Sequence, residues 1–328
     1  MTSPRSVQAL AGEQLASGRN GLVPNDVNLH HNKIMRAVDQ IAKGAGRLGV
    51  PLYSSGRSKH VFTQHQLLVL VVLRQMLSRS YRDFAEWFEL MTSLRRRLRL
   101  RAMPHFTTLH KFSMRLDEHT LDGLLATLAS SVNEGSVDAV IDSTGMRSGS
   151  ASFYYIRTMS LRHGSEGTYK RAIRRHIKLT IVIDARSMTI LAMHTSPGPG
   201  SDANKLVPAV SKAVEHGASI ASVIGDKGYD SEANRRYVVH ELGAEAHIPL
   251  RKLDKRAADH HGWYRRRQLA VFDRALYRRR SLVETVNFVL KRMSEGTSAR
   301  GERAQHNELA LRAVAHNARR AATRAYEG

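Results

Sequence analysis

The chain has 328 residues, of which 42% are hydrophobic, so it is long enough to form about two globular domains with hydrophobic cores. Its 51 Lys and Arg residues outnumber its 29 Asp and Glu residues, and the formal net charge of +22 favours a polyanionic partner. The chain has no Cys, which excludes disulfides and a zinc site built on Cys, and its longest apolar run, Leu67 to Leu73, is too short to span a bilayer. We therefore expect nucleic acid as the partner, and no membrane. The first 25 residues lack the apolar segment of a secretory signal, which predicts a cytoplasmic location.

Residues 1–60 mix Gly, Ser, Asn and Pro with isolated apolar residues, a composition that predicts a mobile N-terminal arm. Only Ile34 to Ala42 has the pattern of a short helix. Strong helix signals begin at Thr63, a typical helix cap. Two packed helices are predicted from there, Gln64 to Leu77 and Tyr81 to Met91.

A cluster of arginines follows these helices and precedes another predicted helix, Thr108 to Leu116. The spacing suits a helix-turn-helix, and we predict an all-helical DNA-binding domain over residues 61–133. The alternative is a helical bundle whose arginines form a solvated face, and periodicity does not separate the two. The cluster consists of Arg95, Arg96, Arg97, Arg99 and Arg101.

Beyond Gly135 the hydrophobic period changes to that of strands, and residues 134–328 are predicted to form a second, α/β domain with a mixed sheet flanked by helices. The second and third strands are close enough to form a hairpin. In chain order the predicted elements are the strands Val137 to Thr144, Ile177 to Asp184 and Met188 to His194, the helix Ala203 to His216, the strand Ala221 to Gly225, the helix Ser231 to Leu242, the strand Ala244 to Leu250 and the helix Ser281 to Met293.

Two acidic residues stand at positions where this sheet could bring them together. Asp142 lies late in the first strand and Asp226 ends the fourth, and groups at strand ends converge on one crevice of an open sheet. The alternative is that each acid is a turn or cap residue, which is the commonest role of Asp. The pair alone does not decide between the two.

A third acid, Glu284, lies on the last predicted helix. At 100° per residue, Tyr277, Arg280 and Lys291 fall within about 40° of it, opposite an apolar face. The alternative is an ordinary solvent-facing stripe of an amphipathic helix. The apolar face is formed by Leu282, Val286, Val289 and Met293.

The spacing Tyr277, Arg280, Glu284, Lys291 reproduces the Y-(2)-R-(3)-E-(6)-K signature of DDE transposases in the insertion-sequence-four superfamily. The segment GDKGYD around Asp226 resembles the second-aspartate segment of that family, and IDSTG around Asp142 resembles the first. RSLVETVNFVLKR and SFYYIR are similar to the insertion-sequence-five group in particular. The resemblance spans roughly residues 107–321.

The resemblance implies a ribonuclease-H-like fold and a DNA transposase of a bacterial or archaeal insertion sequence. It implies that Asp142, Asp226 and Glu284 are catalytic and bind two Mg²⁺ ions, for which Mn²⁺ can substitute. Such ions assist the in-line displacements of phosphodiester cleavage and strand transfer. The implied partners are the terminal inverted repeats and target DNA, and synapsis of two ends implies a homodimer by analogy.

Further residues are predicted to contact DNA. The resemblance suggests a backbone-anchoring role for Arg280, a phosphate hydrogen bond for Tyr277 and a phosphate contact near the transferred strand for Lys291. Trp263, which precedes Tyr264 and a basic run, could stack on an exposed base, and the alternative is that it is buried in the core.

Other functions remain open on the residues alone. Tyr277 among arginines could be the nucleophile of a tyrosine recombinase, or the chain could be a non-catalytic, domesticated DNA-binding protein. Ser143 beside Asp142 could suggest a serine recombinase, but the local sequence supplies no activating partner. The pairs His30-His31 and His260-His261 lack the spacing of helical metal ligands, which favours surface or structural roles.

Overall fold

The computed structural model describes residues 32–148, 176–198, 200–251, 262–294 and 296–327. The segment SFYYIR and the two histidine pairs lie outside these described residues.

A six-stranded mixed sheet forms the centre of the described structure, in the order β3-β2-β1-β4-β5, with β6 pairing the end of β1. The pairs β1–β2 and β2–β3 are antiparallel, and β1–β4, β4–β5 and β1–β6 are parallel. The predicted hairpin and the order of the first five strands along the chain are therefore confirmed. The strands are β1 (Val137–Ser148), β2 (His176–Asp184), β3 (Ile190–Pro197), β4 (Ile220–Ile224), β5 (Glu245–His247) and β6 (Gly296–Thr297).

Helices flank this sheet, as predicted, and the arrangement is consistent with the expected ribonuclease-H-like fold. Those before the sheet are α1 (Lys33–Arg47), α2 (Gln64–Met76), α3 (Tyr81–Glu89), α4 (Thr92–Arg97), α5 (Phe106–Arg115) and α6 (Glu118–Ser130). Those that follow β3 are α7 (Leu206–Glu215), α8 (Glu232–Arg236), α9 (Trp263–Val271), α10 (Arg274–Tyr277), α11 (Ser281–Met293) and α12 (Glu302–Glu327).

Alternating side chains of β1 enter different cores, because successive residues of a strand point to opposite faces. Val140 packs into a core with the N-terminal helices, α11 and α12. Ala139 and Ile141 pack into a second core with α7 and with Tyr237 and Val238, which follow α8. Asp142 follows Val140 by two residues, so its side chain points to the same face of the sheet, on which α11 lies.

Two helices depart from the sequence prediction. The helix predicted at Ile34 to Ala42 is present and longer, as α1 over residues 33–47, and it is not part of a mobile arm, because its Ile41 is fully buried in the core that includes α2, α6 and α12. The helix Ser281–Met293 is not the last, because α12 follows it and places Leu309, Val314 and Ala318 in the same core. The helical region and the sheet are therefore joined by one continuous core.

Candidate active site

Asp142 and Asp226 lie on neighbouring parallel strands. Val140 on β1 pairs with Ile224 on β4. Asp142 follows Val140 by two residues, and Asp226 follows Ile224 by two residues. The Oδ1 atom of Asp226 accepts a hydrogen bond of 2.7 Å from the Gly228 amide, which orients this carboxylate at the start of a single 3₁₀ turn. The topology thus brings the two predicted aspartates to the same place on the sheet.

Glu284 approaches the aspartates from α11, which packs against β1. Its side chain is 55% exposed, and Arg280 donates to its Oε1 at 2.6 Å from one turn earlier. The helix buries Val283, Val286, Asn287, Leu290 and Met293. The buried face is therefore offset from the predicted one, because Leu282 and Val289 are only partly buried.

The electrostatics of Asp142 connect the three acids. Burial is the main cause that raises the pKa of Asp142 from 3.8 to about 6, and the negative charges of Asp226 and Glu284 raise it further. The Ser143 amide and the Arg280 guanidinium oppose this rise. Asp226 and Glu284 are thus both close enough to Asp142 to disfavour its ionisation.

Within the described part of the chain, no group of three or more Asp, Glu, His or Cys side chains is arranged to hold a metal ion as it stands. Arg280 supplies the positive charge beside Glu284. The donor set nevertheless fits a hard divalent cation, because Asp142, Asp226 and Glu284 offer only carboxylate oxygens and repel one another without a cation.

Two residues near the acids were not anticipated from the sequence. Asn287 donates from Nδ2 to Oδ2 of Asp142 at 2.9 Å. Asp202 lies beside Asp226, since a Cβ atom on Gly228 would stand 2.8 Å from Asp226 Oδ1 and 3.1 Å from Asp202 Oδ2. Asp202 precedes a helical turn but makes no capping hydrogen bond, and it instead forms an ion pair with Lys178.

The loop that carries Asp226 is braced by buried charges. Asp230 is buried and accepts hydrogen bonds from Arg235, from Arg265 and from the backbone amide of Arg251. The Arg251 guanidinium donates to the carbonyls of Lys227 and Gly228 at 3.0 and 2.6 Å. These bonds hold both sides of the turn that follows Asp226.

The signature residues do not form one continuous helix. Tyr277 ends α10, a 3₁₀ turn containing Arg280 follows, and α11 carries Glu284 and Lys291. Burial raises the pKa of Tyr277, which disfavours a tyrosinate nucleophile. Lys291 is exposed.

Ser143 has no activating base in the described structure. Its hydroxyl pairs with the hydroxyls of Thr180 and Tyr229, each at 2.8 Å. Burial keeps Tyr229 neutral by raising its pKa. The contacts of Ser143 are therefore those of a structural residue.

The arginine cluster lies beside α1. Arg97 donates to Asp39 at 2.8 Å, and Arg95 donates to the Glu89 carbonyl at 3.2 Å. Arg96 and Arg99 are exposed, and together with Arg97 they line a cavity of about 370 Å³ between α1 and α4.

Trp263 begins α9 and is 54% exposed, so it is not buried in the core. The Arg267 guanidinium lies 5.2 Å from the centre of its ring. Glu232 accepts hydrogen bonds from the amides of Tyr264 and Arg265, which fixes the start of α9 next to the braced loop.

Residues 134–318, more than half of the chain, match a family model described as "Transposase DDE domain". The matched segment contains the three acids and excludes the arginine cluster. No curated protein and no solved structure matches the chain. Among the described residues, no helix combines the length and apolar character needed to cross a membrane.

Proposed function

The chain belongs to the transposase DDE domain family, and from this premise we propose that it cleaves DNA and joins the freed end to a target, with Asp142, Asp226 and Glu284 as its metal-binding residues. The assignment is supported by the register of β1 and β4, which sets Asp142 and Asp226 on neighbouring parallel strands, and by the hydrogen bond from Asn287 of α11 to Asp142; the raised pKa of Asp142 agrees with both. The acids come from β1, the end of β4 and α11, which are far apart in sequence, and the charges of Asp226 and Glu284 both raise the pKa of Asp142. Acids serving only as turns or caps would not need to be so close.

The proposed cofactor is a pair of Mg²⁺ ions, replaceable by Mn²⁺, which would activate the attacking oxygen and stabilise the leaving oxygen. The residues themselves hold the geometry. Gly228 orients Asp226 through its amide, and Asn287 orients Asp142. Glu284 would have to exchange its Arg280 partner for a cation, which leaves the guanidinium available to a phosphate.

We further propose that the substrates are the terminal inverted repeats and the target DNA of an insertion sequence of the insertion-sequence-five group, and that the chain acts as a homodimer. Tyr277, Arg280 and Lys291 flank Glu284 and would hold phosphates near the acids. The exposed Trp263, with Arg267 over its ring, would stack on a base. The arginines Arg95, Arg96, Arg97 and Arg99 would contact the DNA backbone.

The test compares amide variants of the acids with a matched control. Asp142→Asn, Asp226→Asn and Glu284→Gln should each abolish Mg²⁺-dependent nicking of a terminal-repeat duplex and leave its binding largely intact, because these side chains are assigned to metal and not to DNA. Asp138→Asn is the control, since Asp138 lies on the same face of β1 but pairs with Arg279 and Ser222. It should retain cleavage.

Substantial cleavage by any of the three acid variants would contradict the assignment. A covalent adduct between the DNA and Tyr277, trapped on a nicked substrate, would instead establish a tyrosine recombinase. Binding without cleavage by the wild-type chain under all metal conditions would establish a non-catalytic DNA-binding protein.

A further inference from the structure

Asn287 is a buried polar residue on the otherwise apolar face of α11. Only 6% of it is exposed, and it lies in line with Val283, Val286 and Leu290. Burying an amide costs free energy unless its donor and acceptor groups find partners. The contacts of Asn287 therefore have to account for its position.

The amide nitrogen of Asn287 contacts the first acid of the proposed catalytic centre. Its Nδ2 donates to Asp142 Oδ2 at 2.9 Å. Asn287 lies one turn after Glu284 on the same helix. This one hydrogen bond thus fixes the strand that carries Asp142 against the helix that carries Glu284.

The amide oxygen of Asn287 is left without a partner. Oδ1 is buried and accepts no hydrogen bond from the described residues. It belongs to the same amide group whose Nδ2 contacts Asp142. Buried acceptors are almost always paired with protein or with ordered water. This unpaired acceptor could therefore receive a hydrogen bond from a group bound near Asp142.

We propose that Asn287 is a positioning residue of the catalytic centre. Its Nδ2 holds Asp142 in the orientation that binds metal, and its Oδ1 accepts a hydrogen bond from a water molecule held at the same site. The inference rests on the proposed function, because it takes Asp142 as a metal-binding residue. Residues that hydrogen-bond to metal-binding side chains typically contribute about 10- to 100-fold to metal affinity.

The first test measures Mn²⁺ binding to the full chain without DNA, by the loss of the electron paramagnetic resonance signal of free Mn²⁺. Asn287→Leu removes both amide groups at similar volume and should weaken Mn²⁺ binding by about 10- to 100-fold. The matched control is Asn317→Leu. Asn317 is fully buried on α12, and among the described residues its amide bonds backbone groups of Leu125 and Ile190 alone. This control should lower the melting temperature and leave Mn²⁺ affinity unchanged.

A second variant should strengthen the response to Mn²⁺, whereas the first weakens it. Asn287→Asp keeps the shape of the side chain but places a second carboxylate against Asp142. Above neutral pH the metal-free variant should melt at a lower temperature than the wild type, and Mn²⁺ should raise its melting temperature by more than it raises that of the wild type. A merely structural role would leave the metal-induced shift equal in both proteins, and that result would overturn the inference.

Asp142→Asn, measured in parallel, separates this inference from the proposed function. If Asp142→Asn binds Mn²⁺ as the wild type does, the metal assignment fails and the inference fails with it. If Asp142→Asn loses Mn²⁺ while Asn287→Leu retains wild-type affinity, the proposed function stands and only the role of Asn287 is wrong.

Discussion

Ionisation of Asp142 lowers the free energy of unfolding of the metal-free chain. Its pKa rises from 3.8 to about 6, mainly through burial and further through the charges of Asp226 and Glu284. Between these two pH values the native chain binds a proton that the unfolded chain has lost. The penalty is therefore full above about pH 6 and disappears as the pH falls through 3.8.

This sign predicts that Asp142→Asn stabilises the metal-free chain. At about pH 8 we expect its free energy of unfolding to rise by about 1 kcal/mol, a value reduced from the full shift because Asp142 is partly exposed to screening solvent. At about pH 4.5 the gain should be clearly smaller, since the native wild-type residue is then protonated. Urea unfolding with a chelator present measures both values, and a gain that does not change with pH would show that relief of this charge is not its cause.

At the scale of single elements, α11 carries an acidic residue and a basic residue at opposite ends, and we propose different roles for them. Glu284 stands in its first turn and Lys291 in its last, both on the exposed side of the helix. A cationic side chain does not ligate a metal ion, so we assign Lys291 to a phosphate of the cleaved end. The helix would thus present one group to metal and one to DNA.

The division within α11 predicts different responses to metal. Lys291→Ala should reduce strand transfer from a pre-nicked end by about 10- to 100-fold, because a hydrogen bond to a charged group contributes about 1.5 to 3 kcal/mol. Added Mn²⁺ should not restore it. Glu284→Asp keeps a carboxylate and should be partly rescued by Mn²⁺. Equal rescue of both variants in a metal titration would show that the assignment of Lys291 is wrong.

The elements that were predictable are those whose signal is local. Alternating or continuous apolar runs indicated β1 to β5, and amphipathic periodicity indicated α11 with its bounds. The helix α12 was missed because its Ala- and Arg-rich sequence has low hydrophobicity and is buried by tertiary packing. The roles of Asn287 and Asp202 depend on contacts between distant segments, which one sequence without structure does not contain.

At the scale of the whole molecule, the basic side chains behind the net charge of +22 differ in how available they are to DNA. Some arginines are already neutralised within the fold, as Arg97 is by Asp39 and Arg279 is by Asp138. Others, such as Arg96 and Arg99, are exposed beside the cavity between α1 and α4. Cations of the second kind are more available to release counterions from DNA than those already held by an acid.

This distinction predicts the salt dependence of DNA binding. The logarithm of the affinity should fall linearly with the logarithm of salt concentration, by about 0.9 per phosphate contacted on duplex DNA. Arg96→Gln and Arg99→Gln should each reduce that slope by about 0.9 and weaken specific and non-specific DNA alike. Arg97→Gln should change the slope less, because Asp39 already holds its guanidinium.

The control for this series is Arg236→Gln, which removes one exposed charge from α8, outside the helical region that carries the cluster. If Arg236→Gln lowers the slope as much as Arg96→Gln does, the overall charge and not the cluster determines binding. If neither variant changes the slope, the arginines of the helical region form a solvated face, which is the alternative that periodicity left open. A smaller slope for Arg96→Gln and Arg99→Gln alone would place the DNA backbone against the edge where α4 meets α1.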